Sequence, residues 1–225
     1  MQKTMLTTLS VGIVLCSAQA FAQSPKAATY ITDDEVKTVL VQPGTDHTIR
    51  VVDIGNENLA VGIIHRGATG AAARGAAQGA AGGGAAAGGR AAAAAGGGAA
   101  AAPECGERVA APPRGMATGL LHDSQTEGYV IVSGGGTMVT GGHIVNGRRS
   151  LPDSDVTKVL NGPSCSGMIG GNDVVTRVVK TGDVIIIPAG VPHGWSEIPD
   201  HVDYLSIRPS DHILQAGYVN PAIKK

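Results

Sequence analysis

Aromatic side chains are scarce in this chain. Phe, Trp and Tyr make up 3% of its 225 residues, with one Trp and one Phe. A surface that stacks nucleic-acid bases needs more than that. An excess of one charge is missing too: 17 Lys and Arg stand against 18 Asp and Glu, for a net charge of -1. The basic footprint expected of a nucleic-acid partner is therefore absent. No Gly-x-Ser-x-Gly elbow and no phosphate-binding loop occurs, which leaves those hydrolase and NTPase readings without a basis. There are only 3 cysteines, with no Cys-x-x-Cys pair and no Cys/His zinc spacing, so a structural zinc site has no ligand set. The one long apolar run, residues 5–16, is too short to span a bilayer.

That run fits an export leader instead. Lys3 supplies the positive start, and Ala18-Gln-Ala20 and Ala20-Phe-Ala22 are overlapping small-residue cleavage sites. Residues 1–22 are expected to be a signal peptide and the mature protein to be periplasmic or secreted. Cys16 would suit a lipoprotein, but Leu15 before it is a poor fit to the small residue such a site needs. Cleavage near Ala22 leaves Cys105 and Cys165. An even count in an oxidising compartment makes one disulfide the default, and two buried free thiols the alternative.

Residues 23–66 read as a helix and a hairpin that form part of the main domain. Thr32-Asp33-Asp34-Glu35 is a capping box, and Val36, Val39 and Leu40 then share one helix face. Strand-like runs at 47–54 and 59–65 are joined by Gly55-Asn-Glu-Asn58, residues that tolerate turn geometry. From 67 to 102 the chain is almost pure alanine and glycine. It holds no large apolar side chain to offset the entropy of ordering, so a disordered loop is expected. A loop of this length costs little in closure entropy. Residues 103–225 carry short β-rich runs at 117–122, 127–132, 137–140, 143–145, 174–179, 184–187 and 202–207, separated by Gly and Pro. Regular short strands of this kind predict an all-β sandwich or barrel. The run 184–187 is apolar throughout and reads as a strand covered on both faces, and 146–171 is less regular.

Two segments pair histidine with glycine punctuation. The later is Gly182-Asp-Val-Ile-Ile-Ile-Pro188-Ala-Gly190-Val-Pro-His193, and the earlier is His122-Asp-Ser-Gln-Thr-Glu127-Gly-Tyr-Val-Ile-Val-Ser-Gly134. Imidazole and carboxylate together suit divalent transition metals. The later segment resembles the second conserved motif of the cupin superfamily, whose members are small double-stranded β-helix (jelly-roll) barrels. The earlier one matches the first cupin motif in part: His122 stands at the second histidine, Glu127 at the glutamate and Gly134 at the closing glycine. Leu120 occupies the first-histidine position, Gly115 stands one residue out of register with the leading glycine, and Glu197 replaces the final asparagine. The resemblance covers about residues 116–208.

The resemblance implies a metal site reduced to His122, Glu127 and His193, a two-histidine, one-carboxylate set known for non-haem iron. Iron, manganese, zinc or nickel would fit, and a barrel that keeps these residues as a hydrogen-bonded cluster is the alternative. It also implies a homodimer and a small-molecule ligand. The functional expectation is an exported oxygenase or isomerase acting on a small oxygenated molecule, with Glu197 or His201 as general base. The rival expectation is a non-catalytic module that binds a sugar-like ligand. His65 and His143 read as surface residues, Trp195 as cavity wall or core, and Gln125 and Tyr129 as cavity lining.

Overall fold

The structure is a computed structural model that describes residues 27–69, 102–210 and 212–224. The expected signal peptide, and all but the ends of the expected loop at 67–102, lie outside the described residues. Among the described residues no helix is long and apolar enough to cross a membrane.

Helix α1, Asp33–Leu40, starts where the capping box places it: Glu35 N donates to Thr32 Oγ1, and Thr32 N donates to Glu35 Oε2, both at 3.2 Å. Its buried Val39 packs with Val36 and Leu40 against Ile49, Ile63 and Leu205 on the outer face of a sheet. That sheet is built from β1 (Asp46–Asp53), β2 (Asn58–Gly67) and β11 (His201–Ser210), followed by β5 (Glu127–Thr140) and β9 (Val184–Ile187). β1 and β2 form the expected hairpin, and β2 pairs with β11 along its whole length. The second sheet contains the other half of β5, with β8 (Val175–Lys180) on one side. On the other side follow β10 (His193–Glu197), β4 (Thr118–His122), β7 (Ser164–Gly170), β6 (His143–Arg149) and the short β3 (Glu104–Cys105). Every strand pair in both sheets is antiparallel. The fold is all-β, as expected.

β5 ties the two sheets into a barrel. Its first half pairs with β11 and β9, its second half with β10 and β8. The sequence suggested two strands here, broken at Gly134-Gly-Gly136, and the structure has one strand of 14 residues. Gly134 explains the difference. It has φ +66°, and a Cβ there would overlap the His201 carbonyl, so glycine lets the strand bend sharply without ending. Between the sheets lies an apolar core that includes Ile64, Ile131, Met138, Ile187, Ile198, Val202 and Tyr204.

Three further expectations change. β7 and β10 are strands that the sequence did not mark. β9 is covered on one face only: Ile187 is 2% exposed, whereas Val184 and Ile186 are 63% and 68% exposed. Its hydrophobic outer face is an exposed sheet edge, not core.

Cys105 and Cys165 form the expected disulfide, with Cα atoms 6.1 Å apart. It links β3 to β7, and Cys165 packs with Val139, Ile144 and Ile169. Closing a loop across a sequence separation of 60 should stabilise the barrel by about 4 kcal/mol on the chain-entropy account. The Cys105→Ala/Cys165→Ala protein is expected to unfold at lower denaturant, and thiol titration of the denatured, unreduced protein should find neither cysteine free.

Candidate metal centre

The motif residues come together inside the barrel. His122 is the last residue of β4, Glu127 the first of β5 and His193 the first of β10. Strand alternation turns all three inward, and each is 2% exposed. Their ligand atoms lie within 4.8 Å of one another. Glu127 Oε2 stands 3.0 Å from His122 Nε2 and 3.1 Å from His193 Nε2. Two ligands at right angles on a metal, each about 2.1 Å from it, stand about 3.0 Å apart. These spacings are those of neighbouring ligands around one ion.

Backbone carbonyls fix the imidazoles. His122 Nδ1 is 2.7 Å from the Asn161 carbonyl, and His193 Nδ1 is 3.0 Å from the Val191 carbonyl. A carbonyl oxygen only accepts, so each Nδ1 carries the hydrogen and each Nε2 can present its lone pair to the centre. His193 Nε2 makes no hydrogen bond despite its nearness to Glu127. His122 Nε2 stands at hydrogen-bond distance from Glu127 Oε2, so a proton or a metal ion lies between them, and the unpartnered Nε2 of His193 is placed to join a metal there. The donor set and its geometry fit a divalent transition metal.

Glu127 is held as a carboxylate. Burial raises its pKa, but the adjacent imidazoles of His122 and His193 and the charge of Arg208 outweigh burial and hold it well below the usual range. Ser206 donates its hydroxyl to Glu127 Oε1, and Arg208 Nη1 lies 3.7 Å from the same oxygen. The Tyr129 and His193 rings stand nearly perpendicular, with centroids 6.0 Å apart. Burial, then the Glu127 charge, push the Tyr129 phenol well above its ordinary value, so it keeps its proton. Leu120 pairs directly across from His193 and shares the face of His122, as its spacing requires.

Tyr129 is at the site, beside His193, and Gln125, 1% exposed, lies against Gly162 next to Asn161. Glu197 and His201 are not at the site. Glu197 is exposed on β10 beyond a register shift. His201 faces outward at the start of β11, seven residues and roughly 23 Å of strand from Arg208. There its ring contacts Ser133 Oγ at 2.8 Å and Asp200 Oδ2 at 2.6 Å. His65 pairs with Asp203 on the same outer face, and His143 pairs with Glu107. Trp195 packs against the core beside Tyr204.

Sequence reasoning missed Arg208, Ser206 and Asn161. The signal for the first two was present: Val202, Tyr204, Ser206 and Arg208 alternate in one phase along β11, and that phase faces inward. Surface grooves beside the disulfide and beside His201 reach none of the three ligands. The segment 150–163 closes this end of the barrel, through Asn161 and through Val159, whose carbonyl accepts the Thr48 hydroxyl.

No protein-family model matches the chain, and no curated protein sequence does either. Among solved structures it is similar to an uncharacterized conserved protein with a double-stranded beta-helix domain from Klebsiella pneumoniae. That match has 14% identity and a TM-score of 0.33, and covers 83% of this chain and 94% of that one. An oxalate oxidase in complex with the substrate analogue glycolate matches at 13% identity and a TM-score of 0.30, over 77% of this chain and 55% of that one. Peruvianin-I, a cysteine peptidase from Thevetia peruviana latex, matches at 10% identity and a TM-score of 0.30, over 88% and 86%. Matches this distant carry nothing about activity. The chain's own strands and site show the fold: two antiparallel sheets share β5 and the residues of both motifs meet between them, an all-β barrel that resembles the double-stranded β-helix of cupins.

Proposed function

We propose that this protein holds one divalent transition metal on His122, Glu127 and His193 and acts on a small oxygenated molecule, as an oxygenase or isomerase does. The observation that carries the reading is the convergence of two carbonyl-anchored imidazoles and one carboxylate on a common buried point. A metal held there supplies Lewis-acid or dioxygen chemistry with coordination positions left for substrate. The chain's own part is to fix and isolate. Asn161 and Val191 set the imidazole tautomers, His122, His193 and Arg208 keep Glu127 anionic, Ser206 orients its carboxylate, and Tyr129 remains a protonated phenol beside His193. The apolar barrel excludes bulk water. Because the ligands are 2% exposed, a substrate reaches them only when part of the barrel wall moves aside.

A second reading, a non-catalytic ligand-binding module, is favoured by Leu120 standing where a fourth ligand would be. Export remains part of the proposal, supported by the leader pattern and consistent with the disulfide. So does a homodimer, for which the exposed Val184 and Ile186 beside Val132 offer an apolar sheet face.

The test is elemental analysis of purified protein after mild chelation and reloading, with circular dichroism as the folding control. One metal per chain is expected. A folded protein that reloads none would overturn the metal reading and leave the binding module in its place.

A further inference from the structure

Arg208 is an uncommon residue to find 1% exposed inside a barrel. Its Nη1 donates to Asn161 Oδ1 at 3.1 Å and lies 3.7 Å from Glu127 Oε1, and its Nε has no partner. Gln125, also 1% exposed, leaves both its amide nitrogen and its amide oxygen unpartnered. The two belong to one end of the barrel. Asn161 bonds both Arg208 and His122, and a Cβ on the next residue, Gly162, would overlap the Gln125 amide oxygen. Buried donors without acceptors lose stability unless something else meets them.

The charges say what would meet them. Glu127 and Arg208 cancel as they stand. A divalent ion bound by Glu127 and two neutral imidazoles adds two positive charges, and among the described residues no further acidic side chain is in the group that could hold the ion or among the partners of the Glu127 carboxylate. Two uncompensated positive charges in a buried site call for an anion. A guanidinium presents parallel N–H groups that match a carboxylate, and the Gln125 amide adds neutral donors. A neutral, sugar-like ligand would leave that charge uncompensated.

We infer that the site takes a small carboxylate, bound by Arg208 and Gln125 beside the metal. This deepens the proposed function and rests on it, because the surplus charge comes from the metal. Arg208 is a substrate-binding residue in this account, and its pairing with Glu127 is the metal-free arrangement.

The full-length protein loaded with cobalt(II) gives a visible spectrum that responds to a new neighbour of the metal. Titrate it with acetate, and separately with acetamide, its neutral counterpart. Acetate should shift the spectrum saturably and acetamide should not. Arg208→Gln should keep one cobalt per chain and weaken acetate about 10- to 100-fold, the loss of one charge-assisted hydrogen bond, and Arg208→Lys should recover part of it. Gln125→Leu leaves the Glu127–Arg208 pair in place and should also weaken acetate, which keeps the test open if Arg208→Gln does not fold. Full cobalt loading with no response to acetate, or with an equal response to acetamide, overturns the carboxylate inference alone. An unchanged acetate affinity in either Arg208→Gln or Gln125→Leu does the same. A protein that takes up no cobalt overturns the metal reading first and this inference with it.

Discussion

Replacing His193 with alanine should abolish metal loading and leave the barrel folded. The imidazole is one of three protein ligands, and its Nδ1 is tied only to the Val191 carbonyl. Removing a residue that merely supports a metal ligand costs about 10- to 100-fold in affinity, so loss of a ligand itself should cost more than about 100-fold. The fold should persist, because the apolar cluster around Ile131, Ile198 and Tyr204 stays intact. His122→Ala should behave alike. His143→Ala should change nothing, since that ring is half exposed and paired with Glu107 on the surface. The informative gain is Leu120→His. Leu120 stands across the strand pair from His193, so an imidazole there supplies a fourth ligand and should slow metal removal by a competing chelator. The measurement is chelator competition followed by elemental analysis. Full stoichiometry in folded His193→Ala would refute the site.

How much of this centre was readable from sequence depended on the range of each signal. His193 was legible because its place is set locally: glycine and proline at fixed offsets turn the chain into and out of β9 and aim the next strand's first residue inward. His122 and Glu127 were legible for the same reason, being separated by one short loop. Arg208 was not, because an arginine in a strand normally points to water. Only its phase with Val202 and Tyr204, and a partner 81 positions away in Glu127, show that it points inward. β7 was obscured in a similar way. Ser164-Cys-Ser-Gly-Met-Ile-Gly170 has few strand-forming side chains, and it is a strand because β4 and β6 pair with it on either side. β9 misled in the opposite direction. Four apolar residues in a row look buried on both faces, but Val184 and Ile186 lie at a sheet edge. Length of an apolar run reports hydrophobicity, and burial depends on what the rest of the chain lays against it.

Glu127→Leu should destabilise the metal-free protein by about 3–5 kcal/mol, and adding Arg208→Met should restore most of that loss. The reasoning starts from the buried pair. Glu127 Oε1 and Arg208 Nη1 are 3.7 Å apart, and both side chains are 2% exposed. Removing the carboxylate strands a guanidinium in the barrel, and a buried charge stripped of its partner costs about 3–5 kcal/mol. Replacing both by apolar groups of similar volume removes the stranded charge as well, so the second change should largely offset the first. The pH dependence has a definite sign. The folded-state pKa of Glu127 is depressed, so its contribution is complete above the unfolded value of about 4.3. That contribution is lost as pH falls toward the folded pKa. The unmodified protein should therefore lose stability on acidification in that window, and the Glu127→Leu/Arg208→Met protein should show a smaller slope there. Urea unfolding of chelator-treated protein between neutral and acid pH measures both effects. Equal stability of the single and double variants would mean that Arg208 finds another counter-charge or water, and that Glu127 is held by the imidazoles alone.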